Sequence, residues 1–125
     1  MGLDQYMYKR AKGADLPDDS QIYWRKANFV RAWFVEHTGY RNDADCEEHI
    51  VTKKQLEALV SDCRKVLADH KLAPKLMPTC AGFFFGGTEY DDYYFDMVAY
   101  TAEEVEKLIH STNFETEEVI YYEWW

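Results

Sequence analysis

The chain has 125 residues, of which 47% are apolar and 17% aromatic, a composition typical of a domain with a packed core. Nucleic-acid binding normally needs a positive footprint for phosphates, so the net charge of −9 speaks against general, direct nucleic-acid binding. No apolar run approaches the roughly 20 residues of a membrane span, and the N-terminus lacks an apolar signal stretch. We therefore expect a cytoplasmic protein with no membrane partner.

Two strands and two helices are predicted in the first half of the chain. Residues 3–8 suit a first strand, and after a loop at residues 15–20 the apolar spacing predicts a helix from Asp19 or Ser20 to about residue 38. Residues 49–51 suit a short strand. The sequence from Thr52 to Gln55 is a capping-box pattern, and it predicts the start of a second helix that ends near residue 70.

A buried strand, a third helix and a last strand are predicted in the second half. After a connector bracketed by prolines, residues 80–85 resemble a central strand. Thr88 is predicted to cap a helix reaching about residue 109, and a break near Tyr100 is equally compatible because Thr101 opens another capping-box pattern. Residues 118–125 suit an aromatic strand. The prediction is one α+β domain over residues 1–125, with a small mixed or antiparallel sheet of three to five strands packed with three helices.

Several segments together resemble a family of small phage and prophage proteins. The matching segments are residues 1–6 (MGLDQY), 23–28 (YWRKAN), 33–35 (WFV), 45–46 (DC) and 82–91 (GFFFGGTEYD). The family usually has a histidine where this sequence has Arg31 and a serine where it has Gly87. The resemblance implies an accessory protein of the host cytoplasm, the class in which inhibitors of host defence are found. It implies no particular reaction, cofactor or catalytic residue.

A first candidate site lies off the core stripe of the first predicted helix. Trp24, Asn28 and Arg31 fall on one line of that helix, with Arg25 beside it. Tryptophan can stack on a base, arginine can hold phosphate and asparagine can bind a base edge. The set predicts capture of a nucleotide-like signalling molecule, with Thr88 and a second subunit as further contributors. The alternative is that Trp24 packs under the preceding loop while the arginines pair with carboxylates.

A second candidate surface is the acidic C-terminal part of the chain. From residue 88 onward eleven acidic residues face Lys107 alone, a local charge of −10. Such a face could imitate the phosphates of a nucleic acid for a basic host defence protein, and an ordinary solvated surface is the alternative. The residues assigned to partner binding are Glu89, Asp91, Asp92, Asp96, Glu103 and Glu106.

Catalysis and metal binding find little support in the sequence. Cys46 and His49 have a spacing compatible with two ligands of one metal, but two ligands do not make a site. No serine, threonine or cysteine stands in a nucleophile motif. We therefore predict a function by non-enzymatic binding, without a metal or cofactor, for a chain that folds alone or as a small homo-oligomer. An enzyme acting on a phosphorylated small molecule is kept as a third hypothesis.

Overall fold

Four antiparallel strands form a sheet in the order β2, β1, β4, β3. The structure, a computed structural model, describes residues 2–41, 47–81 and 86–125. The strands are β1 (Asp4–Ala11), β2 (Ile22–Arg25), β3 (His49–Val51) and β4 (Glu117–Trp124). β1 pairs with β4 along its whole length, so the first and last strands of the chain lie at the centre of the sheet. The predicted strands near residues 3–8, 49–51 and 118–125 are confirmed.

Four α-helices in the described ranges pack with the sheet in an α+β fold, which is the fold class that the sequence predicts. They are α1 (Asn28–Thr38), α2 (Lys53–Ala68), α3 (Ala73–Leu76) and α4 (Asp92–Ser111). α3 and a 3₁₀ turn at His70–Leu72 occupy the connector that the sequence pattern left without helix. The capping box of α2 is confirmed, because the amide of Gln55 donates to Oγ1 of Thr52 at 3.2 Å and the amide of Thr52 donates to Oε1 of Gln55 at 2.9 Å.

The core lies between the helices and one face of the sheet. Along β1, Gln5 and Met7 are fully buried while Tyr6 and Tyr8 are only partly so, as the period of two in a strand requires. Tyr121 of β4 packs against Phe34 of α1 with ring centroids 4.3 Å apart. Helix α4 also covers the β2 edge of the sheet.

Residues 22–25 form a strand, so the predicted helix from Asp19 or Ser20 is wrong over its first half. Ile22 and Trp24 face the core and Tyr23 and Arg25 face out, which is strand alternation. The chain then turns at Lys26, whose φ of 56° lies in the left-handed region, and α1 begins two residues later. Only the second half of the predicted helix is therefore helical.

Helix α4 begins at Asp92, not at Thr88. Its cap is Asp91, whose carboxylate accepts a hydrogen bond from the amide of Tyr94 at 3.0 Å. The helix is continuous through Tyr100, so the alternative of a break there is wrong. Thr101 is not a cap because its hydroxyl is buried and donates to the carbonyl of Met97 one turn earlier, at 2.7 Å.

Two predictions fall partly or wholly outside the described residues. Residues 82–85 of the proposed central strand lie outside the described ranges, and Cys80 and Ala81 before them are in no strand. Cys46, the suggested metal partner of His49, is likewise outside. Within the described ranges, no helix combines the length and the apolarity needed to cross a membrane.

Candidate functional site

Trp24, the proposed stacking residue, belongs to the core. β2 turns its side chain inward, where it is fully buried. Its indole Nε1 donates a hydrogen bond of 2.8 Å to Oγ1 of Thr101 in α4, and its ring lies 6.4 Å from that of Tyr121. A ligand cannot stack on this ring without opening the sheet away from α4.

Arg31 forms a buried ion pair with Glu123. Its Nε donates to Oε2 of Glu123 at 2.7 Å, and the two side chains are 1% and 0% exposed. The same carboxylate accepts from the hydroxyl of Tyr121 and from Nε1 of Trp125, each at 2.8 Å. Burial raises the pKa of Glu123 above its usual range, while the nearby Arg31 charge opposes that shift. The guanidinium therefore lies inside a structural network, closed to solvent.

Asn28 also has a structural role, at the start of α1. Its side-chain amide donates to the carbonyl of Gly87 at 2.8 Å, and its oxygen accepts from the amide of Cys80 at 3.1 Å. Because the residue is buried, it joins α1 to the loops that flank residues 82–85 without presenting its amide to solvent.

Arg25 and Thr88 remain at the surface. The guanidinium of Arg25 binds the carboxylate of Asp4 at 2.8 Å. Partial burial acts to raise the pKa of Asp4, but hydrogen bonds from Tyr23 and Arg25 hold it below its usual range. Thr88 is exposed in the loop before α4, where its carbonyl accepts from the hydroxyl of Thr79. The five proposed ligand-binding residues are thus divided between the core and two separate surface positions.

A small cavity lies beside Asn28. Its volume is about 140 Å³, below the roughly 300–1,000 Å³ typical of sites that enclose a drug-sized ligand. Its lining contains one cation, Lys26, and two carboxylates, Glu89 and Asp91, so the negative charges outnumber the positive one and oppose the entry of a phosphate. Asn28, Phe29 and Tyr93 also line it.

The outer face of α4 carries a row of exposed carboxylates. Asp96 and Glu103 stand two residues, or about 200° around the helix, from the buried Val98 and Val105. Asp92 lies one turn before Asp96 on the same line. We call these three residues, Asp92, Asp96 and Glu103, the α4 ridge. Glu89 and Asp91, in the loop before the helix, are also exposed.

No cation of the described chain neutralises the ridge. Within the described ranges, none of its three carboxylates forms a salt bridge, and their interactions are fully accounted for. Glu106, in contrast, pairs with Arg64 of α2 and is half-buried, and Glu104 pairs with Lys107 at 3.4 Å. The structure thus brings five of the six proposed partner-binding residues to an exposed surface and assigns Glu106 to a contact between helices.

A groove of about 410 Å³, which no sequence pattern indicates, lies between the start of α2 and the turn before β4. It is lined by residues from three distant segments, among them Lys12, Ile50, Lys53 and Phe114. No sequence motif spans these positions. Only the pairing of β3 and β1 with opposite sides of β4 brings them together.

Two free cysteines, Cys63 and Cys80, lie in the described ranges. Burial raises the pKa of the Cys63 and Cys80 thiols, which favours their unreactive protonated form. No group of three or more histidine, cysteine, aspartate or glutamate side chains in these ranges is arranged to hold a metal ion.

Comparison with known proteins gives no further guide: the chain matches no family model, no curated protein and no solved structure.

Proposed function

We propose that the chain is a non-enzymatic binding protein whose α4 ridge docks on the basic surface of a partner protein. The observation that carries this proposal is the set of three exposed carboxylates on one line of α4, none of them paired with a cation of the described chain. In a salt bridge within the chain these charges would contribute to folding. Left unpaired, they repel one another and are available to a cationic partner.

The geometry of the ridge suits a repeated electrostatic contact. At 1.5 Å of rise per residue, Asp92 and Asp96 are about 6 Å apart along the helix axis, and Glu103 follows about 10 Å further on. The helix is held rigidly because its opposite face, with Val98 and Val105, is buried in the core. A rigid row of negative charges can occupy a groove that otherwise receives the phosphates of a nucleic acid.

The resemblance to phage accessory proteins supports a host defence protein as the partner, with a nucleic-acid enzyme as the chemical class. Capture of a nucleotide-like molecule by Trp24, Arg25, Asn28, Arg31 and Thr88 has less support, because Trp24, Asn28 and Arg31 are occupied in structural contacts. The ridge, unlike that set, needs no rearrangement before it can bind.

The test compares two variants with the same change in net charge. The ridge variant is Asp92→Asn/Asp96→Asn/Glu103→Gln. The control variant is Asp15→Asn/Asp18→Asn/Asp19→Asn, which neutralises three exposed carboxylates in the loop between β1 and β2. Each immobilised protein is incubated with bacterial host lysate at low salt, and retained proteins are identified by mass spectrometry.

The proposal predicts that basic proteins retained by the wild type and the loop variant are lost from the ridge variant. Retention of the same proteins by all three chains, or by none of them, contradicts it. Circular dichroism of each variant verifies that the comparison is made between folded proteins.

A further inference from the structure

The groove beside the start of α2 differs in charge from the rest of this acidic molecule. Its lining includes two lysines, Lys12, which follows β1, and Lys53, the first residue of α2. Among the described residues neither lysine forms a salt bridge. Two lysines without a salt-bridge partner therefore share one concave surface in a protein of net charge −9.

Both lysines are positioned by regular backbone contacts. The amide of Lys12 donates to the carbonyl of Thr116 at 3.0 Å, which fixes the end of β1 against the turn before β4. Lys53 follows the capping residue Thr52, and its ammonium lies 6.0 Å from the ring centroid of Phe114. The backbones of the two lysines are thus held on different sides of the groove.

The groove also contains two carboxylates, and both are already bound by donors. Oε2 of Glu118 accepts from Nε of Arg10 at 2.8 Å. Oε1 of Glu117 accepts from the amide of Asn113 at 2.9 Å. Glu118 is paired with Arg10, whereas Glu117 keeps its negative charge because a neutral amide does not cancel it. An incoming anion therefore meets two lysines and one carboxylate that has no cationic partner.

The start of α2 adds donors to the same surface. The capping box satisfies the amides of Thr52 and Gln55. The amide of Lys53, in the first turn, has no carbonyl one turn earlier within the helix to accept from it. The positive end of the helix reinforces the field of the Lys53 ammonium.

The remaining lining is apolar. Ile50 is 53% exposed, and Phe114, which is half-buried, lines the same groove. A flat ring can cover such a surface, and the volume of about 410 Å³ lies within the range of sites for small organic ligands.

We infer that this groove binds an anionic small molecule that carries a flat ring, with the size of a nucleoside monophosphate. Lys12 and Lys53 bind the anionic group, and Ile50 and Phe114 contact the ring. The ligand class follows from the two lysines without salt bridges and the exposed apolar surface that lie side by side in this groove. The site shares no residue with the α4 ridge, so either proposal can fail without the other.

The test is isothermal titration of the purified full chain with adenosine monophosphate, with adenosine and with inorganic phosphate. We expect adenosine monophosphate to bind at one site per chain with a dissociation constant below about 1 mM, and at least about tenfold more tightly than either fragment. Lys12→Gln/Lys53→Gln should weaken it at least about tenfold. Phe114→Leu should weaken the nucleotide and leave phosphate unaffected.

The matched control is Lys54→Gln, which removes an exposed lysine adjacent to Lys53 that does not line the groove. It should leave the affinity for adenosine monophosphate within about twofold of the wild type. Absence of saturable binding would overturn the inference. So would binding no tighter than that of phosphate, or equal losses in Lys54→Gln and Lys12→Gln/Lys53→Gln.

Discussion

The indole nitrogen of Trp24 and the hydroxyl of Thr101 are joined by a buried hydrogen bond of 2.8 Å that ties β2 to the middle of α4. Because the Trp24 ring is fully buried, truncating it leaves a cavity between the sheet and the helix. We predict that Trp24→Ala lowers the free energy of unfolding by about 3–5 kcal/mol, as measured by urea denaturation.

Its natural comparison is Arg25→Ala, one position further along the same strand. Arg25 is exposed and pairs with Asp4 at the surface, so its removal should leave the free energy of unfolding nearly unchanged. Small and similar effects of both substitutions would mean that Trp24 lies at the surface. They would then support the ligand site proposed from the sequence.

The buried pair of Arg31 and Glu123 gives a second prediction. Arg31→Met leaves the Glu123 carboxylate in the core without its cation, and should destabilise the protein by about 3–5 kcal/mol. Arg31→Met/Glu123→Leu removes both charges, and it should be less destabilised than the sum of the two single changes. The losses are measured in a double-mutant cycle by chemical denaturation. Additive losses would contradict the prediction, because they would mean that the two residues are not coupled.

His49 predicts a dependence of stability on pH. The hydroxyl proton of Thr38 is donated to the carbonyl of Phe34, so the 2.8 Å contact between Thr38 and Nε2 of His49 requires the imidazole to donate. Burial lowers the pKa of His49 below its usual 6.5. A base with a lowered pKa stabilises the fold above its unfolded pKa, and this contribution is lost as pH falls through the folded pKa.

We therefore expect the wild type to lose stability below about pH 6.5 relative to His49→Gln, in denaturant titrations at several pH values. The histidine pKa is measured directly by NMR. A value for His49 at or above 6.5 would contradict this account, and the exposed His110→Gln serves as the control.

Two tyrosine hydroxyls protect the β2 edge of the sheet. Tyr93 donates to the carbonyl of Arg25 at 2.6 Å, and Tyr100 donates to the carbonyl of Tyr23 at 3.0 Å. These carbonyls would otherwise offer a template for pairing with another strand. Tyr93→Phe/Tyr100→Phe should lose about 1–3 kcal/mol of stability and increase self-association in light scattering. Tyr6→Phe is the control, because its hydroxyl makes no hydrogen bond in the described ranges; an equal response from it would rule out edge protection.

The strength of local signals explains which elements were predictable. The capping box at Thr52 and the apolar stripe of α2 predict the same helix, and the structure contains both. The last strand is recognised by its aromatic residues. The strand β2 was missed because Tyr23 and Ala27 also fit a helical stripe. The turn after it falls on Lys26 and not on the glycine or asparagine that usually marks a positive φ.

The candidate surfaces were predictable to different extents. Exposed carboxylates on α4 follow from helical spacing alone, because their positions relative to Val98 and Val105 are set within one element. The burial of Trp24 and Arg31 depends on Thr101 and Glu123, 77 and 92 residues away, which spacing within one segment cannot indicate. The groove at Lys12 and Lys53 depends on strand order in the same way.

The central claim, that the α4 ridge binds a basic partner, is tested most directly by the salt dependence of the complex. The partner used is a purified protein that the wild type retains from lysate and the ridge variant does not. The affinity of the wild type for it should fall steeply between low and moderate salt, because exposed ion pairs are screened. The ridge variant should bind weakly and with a shallower dependence, and the loop variant should follow the wild type. Binding by the wild type that is insensitive to salt, or the same steep dependence in the ridge variant, would contradict the claim.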